Sequence, residues 1–213
     1  MSCFRIALVP LFASLLFPQA GLSGDSVAER EVLLEQLIEE GTVPEESLRK
    51  VFAFFEANLE KIENRRYVTI VDYSRPNKEE RLHVIDMESG EVESLLTAHG
   101  AGRDDRRNPR DIPKYFSNEP GSRVGSLGFY LTGSDYPSEK FGRGLNLHGL
   151  EESNDNAYER RIVVHGADYV NADEGLVGRS WGCPALDHSV ADRIMDQLED
   201  GSLFYITGTP EEK

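Results

Sequence analysis

Cysteine is nearly absent, with two in 213 residues, Cys3 and Cys183. Cys3 falls in a segment, residues 1–24, that reads as a removable leader, so one thiol is left for the folded part. A disulfide within one mature chain is then excluded. An unpaired cysteine in an exported protein is either an intermolecular bridge or a reactive thiol. Basic charge is also scarce. Lys and Arg number 23 against 38 Asp and Glu, for a net charge of −15, and removal of Arg5 with the leader leaves −16. That balance argues against nucleic acid and anionic membrane surfaces as partners. The apolar run at residues 6–17 spans about 12 residues and is broken by Pro10 and Ser14, too short to cross a bilayer as a helix. No internal repeat, no low-complexity tract and no lipid-attachment cysteine after that run is present.

Arg5 precedes the run and small, turn-prone residues 18–24 follow it, the layout of a secretory signal peptide with Ala20 or Gly24 before the cut. An uncleaved anchor is the rival reading. The expected location is exported, in the periplasm or cell envelope. The remaining length suits one domain with a short extension.

Residues 25–64 read as an α-helical hairpin. Ser26 and Glu29 form a capping box, Leu33, Leu34, Leu37 and Ile38 form a stripe, and Gly41 ends the first helix. Pro44 opens the second, with Leu48, Val51, Phe52, Phe55, Leu59 and Ile62 at helical spacing. Such a stripe reads as core packing. Residues 67–73, 81–87 and 91–98 are rich in Val, Ile, Tyr and Leu and read as an antiparallel meander. A long loop at 103–113 carries four Arg and three Asp. Loops of that length are often functional, although a solvated excursion is the bland reading. Strands are expected at 128–132, 145–148, 161–164 and 202–206. A late helix begins after Asp187, with Val190, Ala191, Ile194, Met195 and Leu198 on its apolar face and Gly201 ending it. The expected fold class is mostly β (α+β), a catalytic domain over residues 65–213 with one late helix, preceded by the hairpin.

The chemistry gathers at residues 161–187. Ile162–Val163–Val164 stops at His165–Gly166, and fourteen residues later come Ser180–Trp181–Gly182–Cys183. An ordinary thiol has a pKa of about 8.5, so a nearby imidazole raises the thiolate fraction by taking its proton. Gly182 gives a turn without a Cβ, and the N–H groups of Gly182 and Cys183 are candidates to face an oxyanion. Pro184 has no N–H to offer. The second nitrogen of His165 needs an orienter, either a backbone carbonyl near Gly166 or a carboxylate such as Asp168.

The His-Gly, the fourteen-residue gap and the Ser-x-Gly-Cys resemble the signature of the L,D-transpeptidase (YkuD-like) family. The strings GRSWGCPAL, VVHGADYV and FSN…GSRVGSLGFY…LHGLE are similar to its murein L,D-transpeptidase branch, over roughly residues 67–207. That resemblance implies a YkuD-like β-sandwich or barrel-type domain and a two-step acyl transfer on peptidoglycan stem peptides. In it Cys183 is the nucleophile and His165 the base, the products are 3→3 cross-links formed through a thioester, and no metal or organic cofactor takes part. Gly182, Ser180 and Gly166 are the expected oxyanion and positioning residues, and His148, Trp181 and Arg179 the expected substrate contacts. Arg123 and the 103–110 loop are further candidates for a stem carboxylate. Two positions depart from the family: Trp181 stands where His is usual, and Pro184–Ala185 where a polar residue is usual. An L,D-carboxypeptidase using water as acceptor is therefore an alternative. A zinc hydrolase built on His99, His148, His165 and Cys183 and a non-catalytic wall-binding module are others. His99 is a weaker candidate for the pocket, and His83 and His188 read as structural.

Overall fold

The structure is a computed structural model describing residues 26–211. The leader segment and Cys3 lie outside the described residues. Two helices come first, α1 (Val27–Glu40) and α2 (Glu45–Ala57). The capping box is formed: the Glu29 N–H donates to Ser26 Oγ, and the Ser26 N–H donates back to the Glu29 carboxylate at 3.1 Å. Gly41 closes α1 in the left-handed region, at φ 69°, where a side chain would strain the turn.

The meander follows as β1 (Tyr67–Asp72), β2 (Leu82–Asp86) and β3 (Val92–Leu95). After it come a short β4 (His99–Gly100) and a single 3-10 turn at Asp104–Arg106. A long hairpin is formed by β5 (Gly128–Ser138) and β6 (Gly142–Gly149), with a bulge between Thr132 and Asp135. It runs six residues beyond the strand expected at 128–132. Hydropathy alternation fails past the bulge, where the arm is exposed, so the pattern carried no sign of it. Then come β7 (Val163–Gly166), β8 (Val170–Asn171), β9 (Leu176–Val177), β10 (Arg179–Ser180) and β11 (Ala185–Leu186). The late helix α3 (His188–Leu198) and a final strand β12 (Leu203–Thr207) complete the chain. Asp187 caps α3 by accepting from the Ser189 N–H at 2.8 Å.

Eight strands form one sheet in the order β11-β7-β6-β5-β12-β1-β2-β3. Its two edges approach each other: Ala98, beyond β3, bridges Ala185 of β11, with the Ala98 N–H donating to the Ala185 carbonyl at 3.0 Å. The sheet is thus nearly closed, which removes most of its open edge. Within this sheet two pairings are parallel, β1 with β12 and β7 with β11.

Both faces are buried. Val71, Leu82, Val84, Tyr130, Leu147, Phe204 and Ile206 pack against the apolar face of α3, through Ala191, Ile194, Met195 and Leu198. The alternate residues Val68, Ile70, Ile85, Phe129, Leu203 and Tyr205 pack against Leu48, Val51, Phe52 and Phe55 of the hairpin. The period-2 alternation of β12 divides it between the two cores. The hairpin therefore lies on the sheet and shares a core with it. Among the described residues no helix is long and apolar enough to cross a membrane.

Candidate active site

His165 stands near the end of β7 and Cys183 in the turn entering β11. The register places Ala185 opposite His165. Cys183 lies two residues earlier, about 7 Å back along the strand direction. The parallel pairing of β7 with β11 is what brings residues so far apart in sequence to one edge of the sheet.

The turn is held by its own side chains. Ser180 Oγ donates to the Cys183 carbonyl at 2.6 Å and accepts from the Gly182 N–H at 3.1 Å. The Gly182 N–H is thus committed to Ser180. Gly182 sits at φ 127°, and a Cβ there would lie 2.8 Å from the Val124 carbonyl oxygen, so the turn admits no side chain. The thiol of Cys183 donates to the Arg161 carbonyl at 3.5 Å. Burial pushes this thiol above the usual range. Against that, the Val163 N–H, the charges of Arg160 and Lys140, and the residue's own N–H favour the thiolate.

On His165, Nδ1 lies 2.8 Å from the Gly166 carbonyl. A carbonyl only accepts, so Nδ1 carries the proton and Nε2 the lone pair. Nε2 has no hydrogen bond among the described residues. Burial holds the imidazole below its usual pKa, despite the Gly166 carbonyl, which leaves it neutral at pH 7. Gly166 has a further reason to be glycine: a Cβ would lie 2.4 Å from His188 Nδ1. The orienter is the backbone carbonyl. Asp168 points to solvent and pairs with His188 Nε2 at 3.2 Å. The thiol and Nε2 are not bonded to each other in this structure; such contacts commonly tighten only when substrate binds.

The tip of the β5–β6 hairpin reaches over this edge. Phe141 stacks on His165 with centroids 4.3 Å apart, and Tyr169 meets the same ring edge-on at 6.5 Å. Gly144 is opposite His165, and a Cβ on it would come within 3.0 Å of Phe141. Trp181 is 61% exposed, with Arg123 at 4.3 Å and Lys140 at 4.4 Å from its ring centroid. It is an open surface beside Cys183 rather than core.

The other expected contacts are spread more widely. His148 is exposed, stacks on Tyr158 at 4.7 Å, and stands four residues along β6 from Gly144. Arg179 donates to the Asn108 carbonyl and ties β10 to the Arg-rich loop. His99 is buried against Arg81 Nη2 at 2.9 Å and the Pro109 carbonyl at 3.0 Å, and does not line the site. Among the described residues no three His, Cys, Asp or Glu side chains are grouped to hold a metal ion. Of the four residues considered for zinc, His99 and His148 are each turned to other partners. His188, read as structural, packs on Gly166 beside His165. Sequence reasoning missed Arg160, Lys140 and Phe141. Only the aromatic-glycine pair at 141–142 signalled a hairpin tip; nothing local marks the other two. A cavity of about 680 Å³, lined by Arg103, Arg106, Lys114, Phe116, Ser122 and Val124 among others, lies behind the 122–124 wall.

A family model of the L,D-transpeptidase catalytic domain matches residues 39–207, a span that takes in α2. Solved structures with similar folds include an L,D-transpeptidase from Mycobacterium smegmatis (12% identity, 67% of this chain and 58% of that one, TM-score 0.39). Another is an L,D-transpeptidase from Xylanimonas cellulosilytica (13% identity, 66% and 60%, TM-score 0.40). A third is an L,D-transpeptidase from Mycobacterium tuberculosis (14% identity, 67% and 57%, TM-score 0.39). The alignments take in about three fifths of each of these solved chains. No curated protein matches the chain.

Proposed function

The chain belongs to the family of L,D-transpeptidase catalytic domains, and from that premise we propose that it is an exported acyltransferase acting on peptidoglycan stem peptides through a Cys183 thioester. In the first step Nε2 of His165 takes the thiol proton, and Sγ attacks the carbonyl carbon of the third residue of a tetrapeptide stem. The C–N bond to the terminal D-Ala breaks, and the imidazolium returns the proton to the departing amine. In the second step an amine of another stem gives its proton to His165 and attacks the thioester. A 3→3 cross-link forms and the thiolate leaves.

The observation that carries this reading is the β7–β11 register together with the Nδ1–Gly166 bond. A pre-set neutral imidazole stands on the strand beside a thiol whose turn is locked by Ser180. Since the Gly182 N–H serves Ser180, the Cys183 N–H is the candidate oxyanion donor. Trp181, flanked by Arg123 and Lys140, offers a face and two cations for a stem carboxylate and its side chain.

The test is mass spectrometry of the mature protein with a carbapenem, alongside muropeptide analysis of digested sacculi. An adduct on Cys183 is expected, absent in Cys183→Ala and slowed in His165→Ala, with new 3→3 dimers. Tripeptide product without dimers would identify water as the acceptor, making the enzyme an L,D-carboxypeptidase. Neither adduct nor muropeptide change would remove the acyl-transfer reading.

A further inference from the structure

Arg160 lies in the turn before β7, and its guanidinium is half-buried. It donates to the Val124 carbonyl at 2.6 Å, the Ser117 carbonyl at 2.7 Å, Ser122 Oγ at 3.1 Å and Ser126 Oγ at 3.4 Å. All four acceptors are neutral. Arg66, Arg75, Arg143 and Arg193 each sit on a carboxylate, as a chain of net charge −15 readily allows. Arg160 has no carboxylate partner among the described residues. A half-buried cation without a counter-charge is costly to keep, so its placement calls for an anion that forms nearby.

Its position supplies one. The Val124 carbonyl that Arg160 holds is the atom against which Gly182 rests, 2.8 Å from where a Cβ would stand. The next residue, Arg161, accepts the Cys183 thiol. Arg160 thus holds the wall on one side of the nucleophile and leads into the backbone on the other. The residues that follow Cys183, Pro184 and Ala185, bring no charge of their own.

We propose that Arg160 is a positioning residue for the nucleophile: a guanidinium held only by neutral oxygens, which fixes the 117–126 wall behind Cys183 and supplies the positive charge that stabilises its thiolate. This rests on Cys183 being the nucleophile. The electrostatics agree in both directions, since Arg160 favours the thiolate and the thiolate favours a charged Arg160. Other groups also bear on the sulfur. Lys140 acts from the hairpin tip, but it lies over exposed Trp181, where solvent and salt weaken its charge. His165 on β7 is neutral at pH 7. Tyr73, just past β1, and Tyr169, after β7, are held above their usual range by burial and stay uncharged. Arg160 is the cation with the fixed geometry.

The test is the pH dependence of Cys183 alkylation by iodoacetamide, with the site assigned by mass spectrometry in the full chain. Arg160→Gln removes the charge. Ser122→Asp keeps the guanidinium and sets a carboxylate against it, so it decides the matter if Arg160→Gln does not fold. Both are expected to move the alkylation midpoint up by about one pH unit, with a fall of about tenfold in rate at pH 7. Arg160→Lys, which keeps the charge, is expected to recover most of the wild-type profile. An unmoved midpoint in either folded variant overturns the proposal. So does a shift in Arg160→Lys as large as in Arg160→Gln, which would assign the effect to hydrogen bonding instead of charge. Alkylation needs no wall substrate, so its outcome is separate from the carbapenem and muropeptide results that judge the acyl-transfer reading.

Discussion

At Cys183 burial pushes the thiol up, and at His165 burial pushes the imidazole down. Both shifts favour the neutral pair over thiolate–imidazolium, so at rest the proton is on sulfur and the lone pair on Nε2. The pH profile of the free protein follows. Alkylation of the wild-type thiol should keep rising through pH 8, with a midpoint above the ordinary thiol value of about 8.5. Imidazole titration should add no limb between pH 6.5 and 8. A plateau reached below pH 8 would mean that an ion pair is already formed and would refute this resting state. The candidate pair was legible in the sequence because a His ending an apolar run and a Cys after glycine are local patterns. The orienter was narrowed to a carbonyl near Gly166 or the Asp168 carboxylate and no further, since both lie within three residues of His165. Arg160 was not legible at all. Its meaning depends on four acceptors 34 to 43 residues away, and a polar turn looks the same with or without them.

The elements whose signal is their own periodicity were read correctly: the capped α1, the stripe of α2, the meander and α3. The short strands β4 and β8 to β11 were not, because two residues carry no period. The parallel pairings are invisible to any local window. The helical hairpin is the element whose role changes most with the structure. Phe54 stacks on Phe129 at 3.8 Å and Phe129 on Tyr205 at 4.4 Å, which ties α2 to two central strands. Phe55 is 2% exposed within the same core. Phe55→Ala is therefore expected to cost about 3–5 kcal/mol and to lower the stability of the sheet as well as of the hairpin. Trp181, the one tryptophan of the chain, stands beside Cys183 at the far edge of the sheet and gives a separate probe. In urea, its fluorescence and the far-UV circular dichroism should move together to lower denaturant. An early loss of helical signal with the tryptophan transition unmoved would make the hairpin an independent appendage.

For the molecule as a whole, two opposing effects operate as pH falls from neutrality. Protonating the acidic surface relieves the self-repulsion of a chain with net charge −15 and pI about 4.8, which favours the folded state. Buried histidines act the other way. His83 and His99 are each 1% exposed, and burial lowers both to about 4. His83 Nε2 has no hydrogen-bond partner among the described residues, and the charged Arg81 faces His99. In the unfolded chain both titrate near 6.5. Between about pH 6.5 and 4 the unfolded state thus binds more protons, so stability falls as pH falls through that window and is level above it. Each ring contributes on the order of 3 kcal/mol at the bottom of the window. Surface repulsion is screened at 0.15 M salt, whereas the buried terms are screened much less, so the histidines should decide the sign. The urea midpoint in 0.15 M salt is expected to be lower at pH 4.5 than at pH 7. His83→Gln, which removes one titrating ring, should reduce the difference between the two midpoints. A midpoint that holds or rises on acidification would show that relief of surface charge outweighs the cost of charging the buried rings.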